Sequence, residues 1–350
     1  MPVPSRRSAL LAWYDANARD LPWRVGPAEH ARGVRADPYR VWLSEVMLQQ
    51  TTVPHATPYF LKFLRLWPTV ENLAMAPDEA VMGAWAGLGY YARARNLLAC
   101  ARAVADQHGG VFPDTEEGLR ALPGVGAYTA AAVAAIAFDR RANVVDGNVE
   151  RVMARLYAVE APLPGSKPAL KALAEALVAD ERPGDWAQAL MDLGATVCRP
   201  KAPLCDRCPL ASDCKAFVGG APETYPRKTA KADRPRRYGG AYLLMRDGEI
   251  ALVQRPPKGL LGGMLGLPTS DWGGRPLSDK DAVAAAPTAG NWRHAGAIEH
   301  VFTHFSLTLK VWRCEDGKDF DGAVWTPIER LGVLPSVFLK AARAGLDRLV

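Results

Sequence analysis

The chain has 350 residues, 49% of them hydrophobic and 23% charged, a balance that excludes a disordered chain and leaves enough length for two cored domains. No apolar run reaches the roughly 18 residues that would cross a membrane, and the stretch around Leu10-Leu11-Ala12-Trp13-Tyr14 is too short and aromatic for a signal peptide. A soluble, cytoplasmic protein is expected. Lys and Arg exceed Asp and Glu by 43 to 37, a net charge of +6 with a pI near 9.0, which favours a polyanionic partner without naming one.

Up to about residue 217, Ala- and Leu-rich segments of helical period alternate with breaks such as Trp67-Pro68, Ala76-Pro77 and Leu122-Pro123-Gly124, so residues 1–218 read as an all-α domain. Residues 38–50 form a helix in which Glu45 lies beside Val41, Trp42, Leu48 and Gln49, within an apolar stripe. Burial there raises a carboxyl pKa and keeps its proton available near neutral pH, whereas position alone also fits a solvated helix charge. Gln50 follows, and then Gly87-Leu88-Gly89-Tyr90-Tyr91, which by itself is a packed turn.

Residues 119–130 place Gly124 and Gly126 in a tight turn after Leu122-Pro123 and directly before an Ala-rich helix, 127–137. Amides left free at a helix start suit a phosphate whatever the base sequence, although Pro-Gly-x-Gly alone also fits a plain loop. In Asn143-Val144-Val145-Asp146-Gly147-Asn148-Val149, Asp146 stands where an N-cap is expected. A helix N-terminus stabilises an anion, so an ionised Asp146 and a neutral Glu45 would suit opposite jobs, one as a fixed negative charge and the other as a proton donor.

Four of the six cysteines fall in Cys198-x6-Cys205-x2-Cys208-x5-Cys214, separated by Pro200, Pro203 and Pro209. Four thiolates can hold one centre, and this asymmetric series lacks the second close doublet of common zinc sites, so spacing leans toward an iron–sulfur cluster with zinc still open. Residues 219–237 then turn Pro-rich and basic, as a linker does. Residues 238–350 hold short alternating or β-branched runs at 241–245, 250–254 and 305–312, bounded by Asp247-Gly248 and Asp316-Gly317, and end in a helix over 336–349, a smaller α+β domain.

Taken together, the cysteine spacing and Leu122-Pro123-Gly124-Val125-Gly126 resemble the helix-hairpin-helix superfamily of endonuclease III and MutY. The Ser-Glu-Val-Met-Leu-Gln-Gln-Thr string from Ser44 and Val145-Asp146-Gly147-Asn148-Val149 resemble the MutY adenine glycosylases within it. The resemblance implies a 4Fe-4S cluster on Cys198, Cys205, Cys208 and Cys214. It also implies Glu45 as the acid at adenine N7, Asp146 as the stabiliser of the sugar cation, with a covalent intermediate as one route, and Asn148 as support for Asp146. DNA contacts would come from Gln50, Leu88, Tyr90, Leu122, Gly124 and Gly126. Tyr128 stands where endonuclease III-like enzymes carry a catalytic Lys, and no Lys occurs between Lys62 and Lys167, so base excision without strand cleavage is expected. A bifunctional glycosylase and lyase is the alternative.

The last domain resembles the Nudix-related domain that reads 8-oxoguanine opposite the target adenine. No Glu occurs between Gly259 and Asp281, which excludes the glutamate-held magnesium of Nudix hydrolysis. In residues 300–306, Phe302, Thr303 and His304 match a Phe-Ser-His loop with Thr303 replacing Ser; an alternating edge strand is the plainer reading. The partner implied is double-stranded DNA with adenine opposite 8-oxoguanine or guanine, bound by a nucleoid-associated monomer. Residues 25–36 are longer than the matching loop, and the sequence assigns them no role.

Overall fold

A computed structural model of the protein describes residues 5–229, 233–256 and 259–346. Contacts divide the chain into two units, Met1–Ala230 and Lys231–Val350. In the first, α1 (Arg6–Asn17), α2 (Pro27–Ala31), α3 (Pro38–Leu48), α4 (Val53–Leu66), α5 (Val70–Ala74), α6 (Asp78–Trp85) and α7 (Ala92–His108) follow in turn. Then come α8 (Glu116–Arg120), α9 (Ala127–Phe138), α10 (Gly147–Tyr157), α11 (Lys167–Glu175), α12 (Pro183–Asp192) and α13 (Lys215–Val218).

Helix α9 is the axis of this unit. Its residues are apolar on every side, which is the pattern of a helix enclosed by others, and Thr129 to Ala135 are all buried. Alanines let neighbours approach closely: a Cβ at Gly184 of α12 would meet the Ala135 carbonyl at 2.6 Å. The hairpin that introduces α9 is fixed from below. Thr115 caps α8 by accepting from the Gly118 amide at 3.2 Å, and Gly124 turns with φ +71°, where a Cβ would lie 2.5 Å from that of Asn96. Helix α3 starts at Pro38 behind the Asp37 N-cap and stops where Gln49 is extended and Gln50 turns left-handed, φ 58°.

The Pro-rich stretch after α13 lies partly on the helical unit. Leu163 N donates to Arg227 O at 2.8 Å, Thr229 N donates to Leu163 O at 3.2 Å, and Arg227 pairs with Glu160 at 3.1 Å. Linker residues 230–232, Lys231 included, lie outside the described residues.

In the second unit, β1 (Arg236–Arg246), β2 (Glu249–Gln254), β3 (Leu265–Gly266), α14 (Asp279–Ala284), β4 (Arg293–Val301), β5 (Ser306–Cys314), β6 (Ala323–Pro327) and α15 (Ser336–Leu346) build one mixed sheet of order β3-β2-β1-β5-β4, with β6 beside β2. Arg236 and Arg237, which composition assigns to the linker, open β1 because they pair in parallel with Ser306 and Leu307. Asp247 and Gly248 make the left-handed two-residue turn of the β1–β2 hairpin, φ 50° and 80°. Asp316-Gly317 closes no hairpin: β6 pairs with β2, and the Asp316 side chain instead accepts from the Asn291 amide at 2.9 Å.

Strand β1 is buried along its middle because both sheet faces are covered. Leu243, Leu309 and Val311 pack with Phe338 of α15 on one side; Tyr242, Trp292 and Trp312 pack with Ala282 of α14 on the other. The helix expected over 336–349 is seen to Leu346, and residues 347–350 lie outside the described residues.

Candidate active site

A pocket of about 710 Å³ opens between residues 19–24, the C-terminal half of α3, the start of α9, the start of α10 and α12, and its lining includes Glu45, Tyr128, Asp146 and Asn148. Glu45 is 7% exposed. Burial pushes its carboxyl up to about 7, against a smaller downward pull from the Tyr128 hydroxyl; the Asp146 charge raises it further and Arg24 lowers it. The apolar stripe seen in the sequence is the cause, since Val41, Trp42, Val46 and Met47 around it are buried. The Tyr128 phenol is held well above its usual range by burial and by the Glu45 and Asp146 charges, and donates to Met191 Sδ at 3.7 Å.

Asp146 caps α10. One carboxylate oxygen accepts from Val149 N at 2.8 Å and the other from Asn148 Nδ2 at 2.8 Å. Asn148 is oriented in turn by Arg151 Nη2 at 2.8 Å, which also donates to Gly194 O at 2.6 Å, while Arg151 Nε reaches Cys198 O at 2.8 Å. Gly194 belongs to a π-helical turn, Leu193–Val197, where a Cβ would lie 2.5 Å from Asn148 Cβ. The carboxylate is thus held by a hydrogen-bonded chain that ends where the cysteine loop begins.

Arg24 and Arg19 fix the opposite wall by meeting buried Asp192 at 2.7 and 2.6 Å. Sequence reasoning missed Arg24, Asp192, Arg151 and the π-turn. Only Arg151 carried a local signal, three residues after Asn148 on the same helix face.

Of the expected DNA contacts, Gln50 and Tyr90 are exposed, and both have left-handed backbones, φ 58° and 50°. Leu88 and Leu122 are buried, 5% and 4% exposed, so a wedge or a surface contact by either side chain does not match this conformation. Both pack into the hydrophobic core of the helical unit, Leu122 beside buried Leu119 and Val125. Gly124 and Gly126 are exposed, and an added Cβ at Gly126 would meet nothing within 4 Å, so the amide face at the start of α9 opens outward.

Cys198, Cys205, Cys208 and Cys214 are all free thiols, half-buried, and the charges of Cys198, Cys205 and Cys214 each act on Cys208, so the four share one neighbourhood. Among the described residues no three Cys, His, Asp or Glu side chains close on a point as one ion requires, about 2.3 Å from each sulfur for zinc. Buried Arg155 reaches Cys198 Sγ at 3.3 Å, Arg199 O at 2.7 Å and Pro200 O at 3.1 Å, pinning the loop by its backbone.

In the second unit Thr303 and His304 are exposed at the β4–β5 turn, closed by Phe302 N donating to Phe305 O at 2.9 Å. Phe302 stacks on Trp272 at 5.9 Å and meets Phe305 at 4.8 Å, with Arg237 over the Phe305 ring at 4.4 Å. The turn therefore stands on an aromatic platform, which an edge strand alone would not need.

Residues 25–36 contain α2 and line a separate pocket of about 510 Å³. His30 faces Asp139 at 2.9 Å and Asp185 at 3.1 Å, and Arg182 pairs with Asp185 at 2.8 Å, so the polar side chains there are turned on one another.

Residues 43–179 match the family described as HhH-GPD superfamily base excision DNA repair protein, and residues 240–341 match the NUDIX domain. The adenine DNA glycosylase of Homo sapiens is 38% identical over 89% of this chain and 67% of its own length. That of Mycolicibacterium smegmatis is 41% identical over 66% of this chain and 74% of its own. Among solved structures, a thermostable thymine-DNA glycosylase superposes with a TM-score of 0.53 at 32% identity, covering 61% of this chain and 94% of that one. With the buried acid, the capped carboxylate and the hairpin on one helical scaffold and a Nudix-like sheet after it, the chain belongs to the adenine DNA glycosylase family of base excision repair enzymes.

Proposed function

We propose that this chain binds double-stranded DNA as a monomer and hydrolyses the N-glycosidic bond of adenine standing opposite 8-oxoguanine or guanine, without cutting the strand. The observation that carries the reading is the pair in the 710 Å³ pocket, a buried carboxyl raised to about 7 and a helix-capping carboxylate whose charge it feels.

Glu45, whose raised pKa keeps a share of the molecules protonated near neutral pH, gives its proton to N7 of the extruded adenine as the bond from C1′ breaks and its electron pair leaves with the base. Asp146, aimed by the Val149 amide and Asn148, faces the cationic sugar. Water then adds to C1′ and returns a proton to Glu45. By the resemblance, Tyr128 stands where a catalytic amine would, and a phenol, having no amine nitrogen, forms no Schiff base.

The open amides at Gly124 and Gly126 would take a phosphate, and Gln50 and Tyr90 would fill the space left by the extruded base. Thr303 and His304, with Phe302 beneath, offer hydrogen bonds and stacking to the oxidised guanine. Cys198, Cys205, Cys208 and Cys214 would hold a 4Fe-4S cluster, which when bound ties the loop after the π-turn into one rigid piece.

The test is single-turnover base release on duplexes holding adenine opposite 8-oxoguanine, guanine or cytosine, with and without alkali. Strand breaks only after alkali, fastest opposite 8-oxoguanine, are expected. Breaks without alkali, with borohydride trapping of the protein on DNA, would replace this reading by a bifunctional lyase.

A further inference from the structure

Gln50 and Tyr90 come from different parts of the chain, yet Gln49, next to Gln50, and the Tyr90 ring both meet one side chain. Arg93, in the first turn of α7, donates through Nη1 to Gln49 O at 2.6 Å, Val46 O at 3.0 Å and Met47 O at 3.3 Å, the last carbonyls of α3. Through Nη2 it donates to Leu88 O at 3.0 Å and Gly89 O at 3.4 Å. Its guanidinium also lies over Trp85 at 5.3 Å and over Tyr90 at 5.5 Å, and Trp85 Nε1 donates to Gly89 O at 3.0 Å.

The contacts of this half-buried arginine are backbone carbonyls and aromatic rings, with no carboxylate partner among the described residues. A fork of donors is suited to bridging two sets of carbonyls at once, and a cation is favoured at the C-terminal end of a helix. Burial lowers its pKa, which fits a charge held by dipoles and not by an anion. A third element is anchored beside it: Asn96, one turn further along α7, sits under Gly124 of the hairpin, and Trp42, Arg93, Asn96 and Gly124 line a common cavity of about 50 Å³.

We propose that Arg93 is a positioning residue for base extrusion, setting the Gln50 turn and the Gly87–Tyr90 loop at a fixed separation so that both enter the stack as one rigid wedge. This rests on the reading above that Gln50 and Tyr90 enter the DNA. Nothing at Arg93 touches the reacting atoms; its effect falls on the step that precedes chemistry.

The experiment compares the full-length wild type with R93K, R93M and the separate variants Q50A and Y90A. Single-turnover adenine release is measured on a duplex with adenine opposite 8-oxoguanine and on one with adenine opposite an abasic position, where less pairing must be broken. A 2-aminopurine beside the target reports unstacking. Lys keeps the charge but cannot span both carbonyl sets, so R93K should release adenine from the paired duplex about ten- to a hundredfold more slowly, the loss expected when hydrogen bonds from a charged donor go. The 2-aminopurine signal should fall with it, and the deficit should shrink on the abasic-paired duplex.

Wild-type rates in R93K would overturn the proposal by showing that charge suffices. An equal deficit on both duplexes would overturn it by assigning Arg93 to the fold alone. If Q50A and Y90A extrude and cleave as the wild type does, the wedge reading itself fails; if only they are impaired, that reading stands and Arg93's role does not.

Discussion

The proposed catalytic pocket and the β4–β5 turn place polar groups in opposite surroundings. Glu45 is almost out of solvent and takes its useful protonation state from that burial, whereas Thr303 and His304 are exposed on an aromatic platform. Acid catalysis needs a proton bound more tightly than water allows, so burial is the working condition. Recognition of an opposite base needs donors and stacking faces that a partner can reach. The pocket should therefore answer to substitution by orders of magnitude and to pH, and the turn by small factors and to the identity of the opposite base.

The largest effect belongs to the capped carboxylate and the buried acid. Asp146→Asn keeps a good N-cap, since Asn and Asp cap equally well, and should lower single-turnover base release by about three orders of magnitude with little change in Tm. Asp146→Ala should add a stability loss of about 1 kcal/mol from the missing cap. Activity in Asp146→Asn near the wild-type rate would leave the cap as the residue's whole purpose.

Glu45→Gln separates chemistry from stability within the same pocket. The folded-state pKa is raised from 4.5 to about 7, so the proton favours the folded state, and that contribution, complete below 4.5, is lost as pH rises through 7. Glutamine has nothing to ionise. The variant should release base about 10²- to 10⁴-fold more slowly, yet unfold at higher denaturant than the wild type above pH 7. The gap should approach about 3 kcal/mol and close below pH 4.5. Wild-type base release should fall as pH rises past 7. Matching denaturation curves for the two proteins above pH 7 would mean that Glu45 is solvated after all.

At the β4–β5 turn the expected scale is smaller. Thr303→Ala removes one exposed hydroxyl and should reduce the preference for 8-oxoguanine over guanine by about fivefold, the value of one hydrogen bond, with Tm unchanged. An unchanged preference would shift recognition to His304 and Phe302.

What could be read in the sequence follows the same division. The burial of Glu45 and the capping by Asp146 were legible because each is set by neighbours within one helical turn, an apolar stripe in one case and a cap in the other; their catalytic roles rest on the resemblance. The sheet of the second unit was legible from alternation and from Asp247-Gly248. The arginines that fix the site were not, because Arg24 finds Asp192 and Arg151 finds Gly194 and Cys198 across 168, 43 and 47 positions, and no local period encodes such pairs. Leu88 and Leu122 were legible in the opposite sense: a leucine beside a glycine turn reads by itself as packed, both side chains are buried, and only the resemblance implies that either meets DNA.

The smallest expected effect concerns the basic stretch between the two regions. Composition alone makes Arg227 a candidate phosphate contact, but its guanidinium already pairs with Glu160 at 3.1 Å and lies over the Tyr225 ring at 4.9 Å. Exposed pairs of this kind contribute only about 0–1 kcal/mol, so stability should hardly move on substitution. In Arg227→Ala the plot of log affinity against log salt should keep the wild-type slope, because a cation engaged with a carboxylate releases no counterion from DNA. A slope shallower by about 0.9 would mean that Arg227 leaves Glu160 for a phosphate when DNA binds, and would give this stretch a share in binding that its free-state packing conceals.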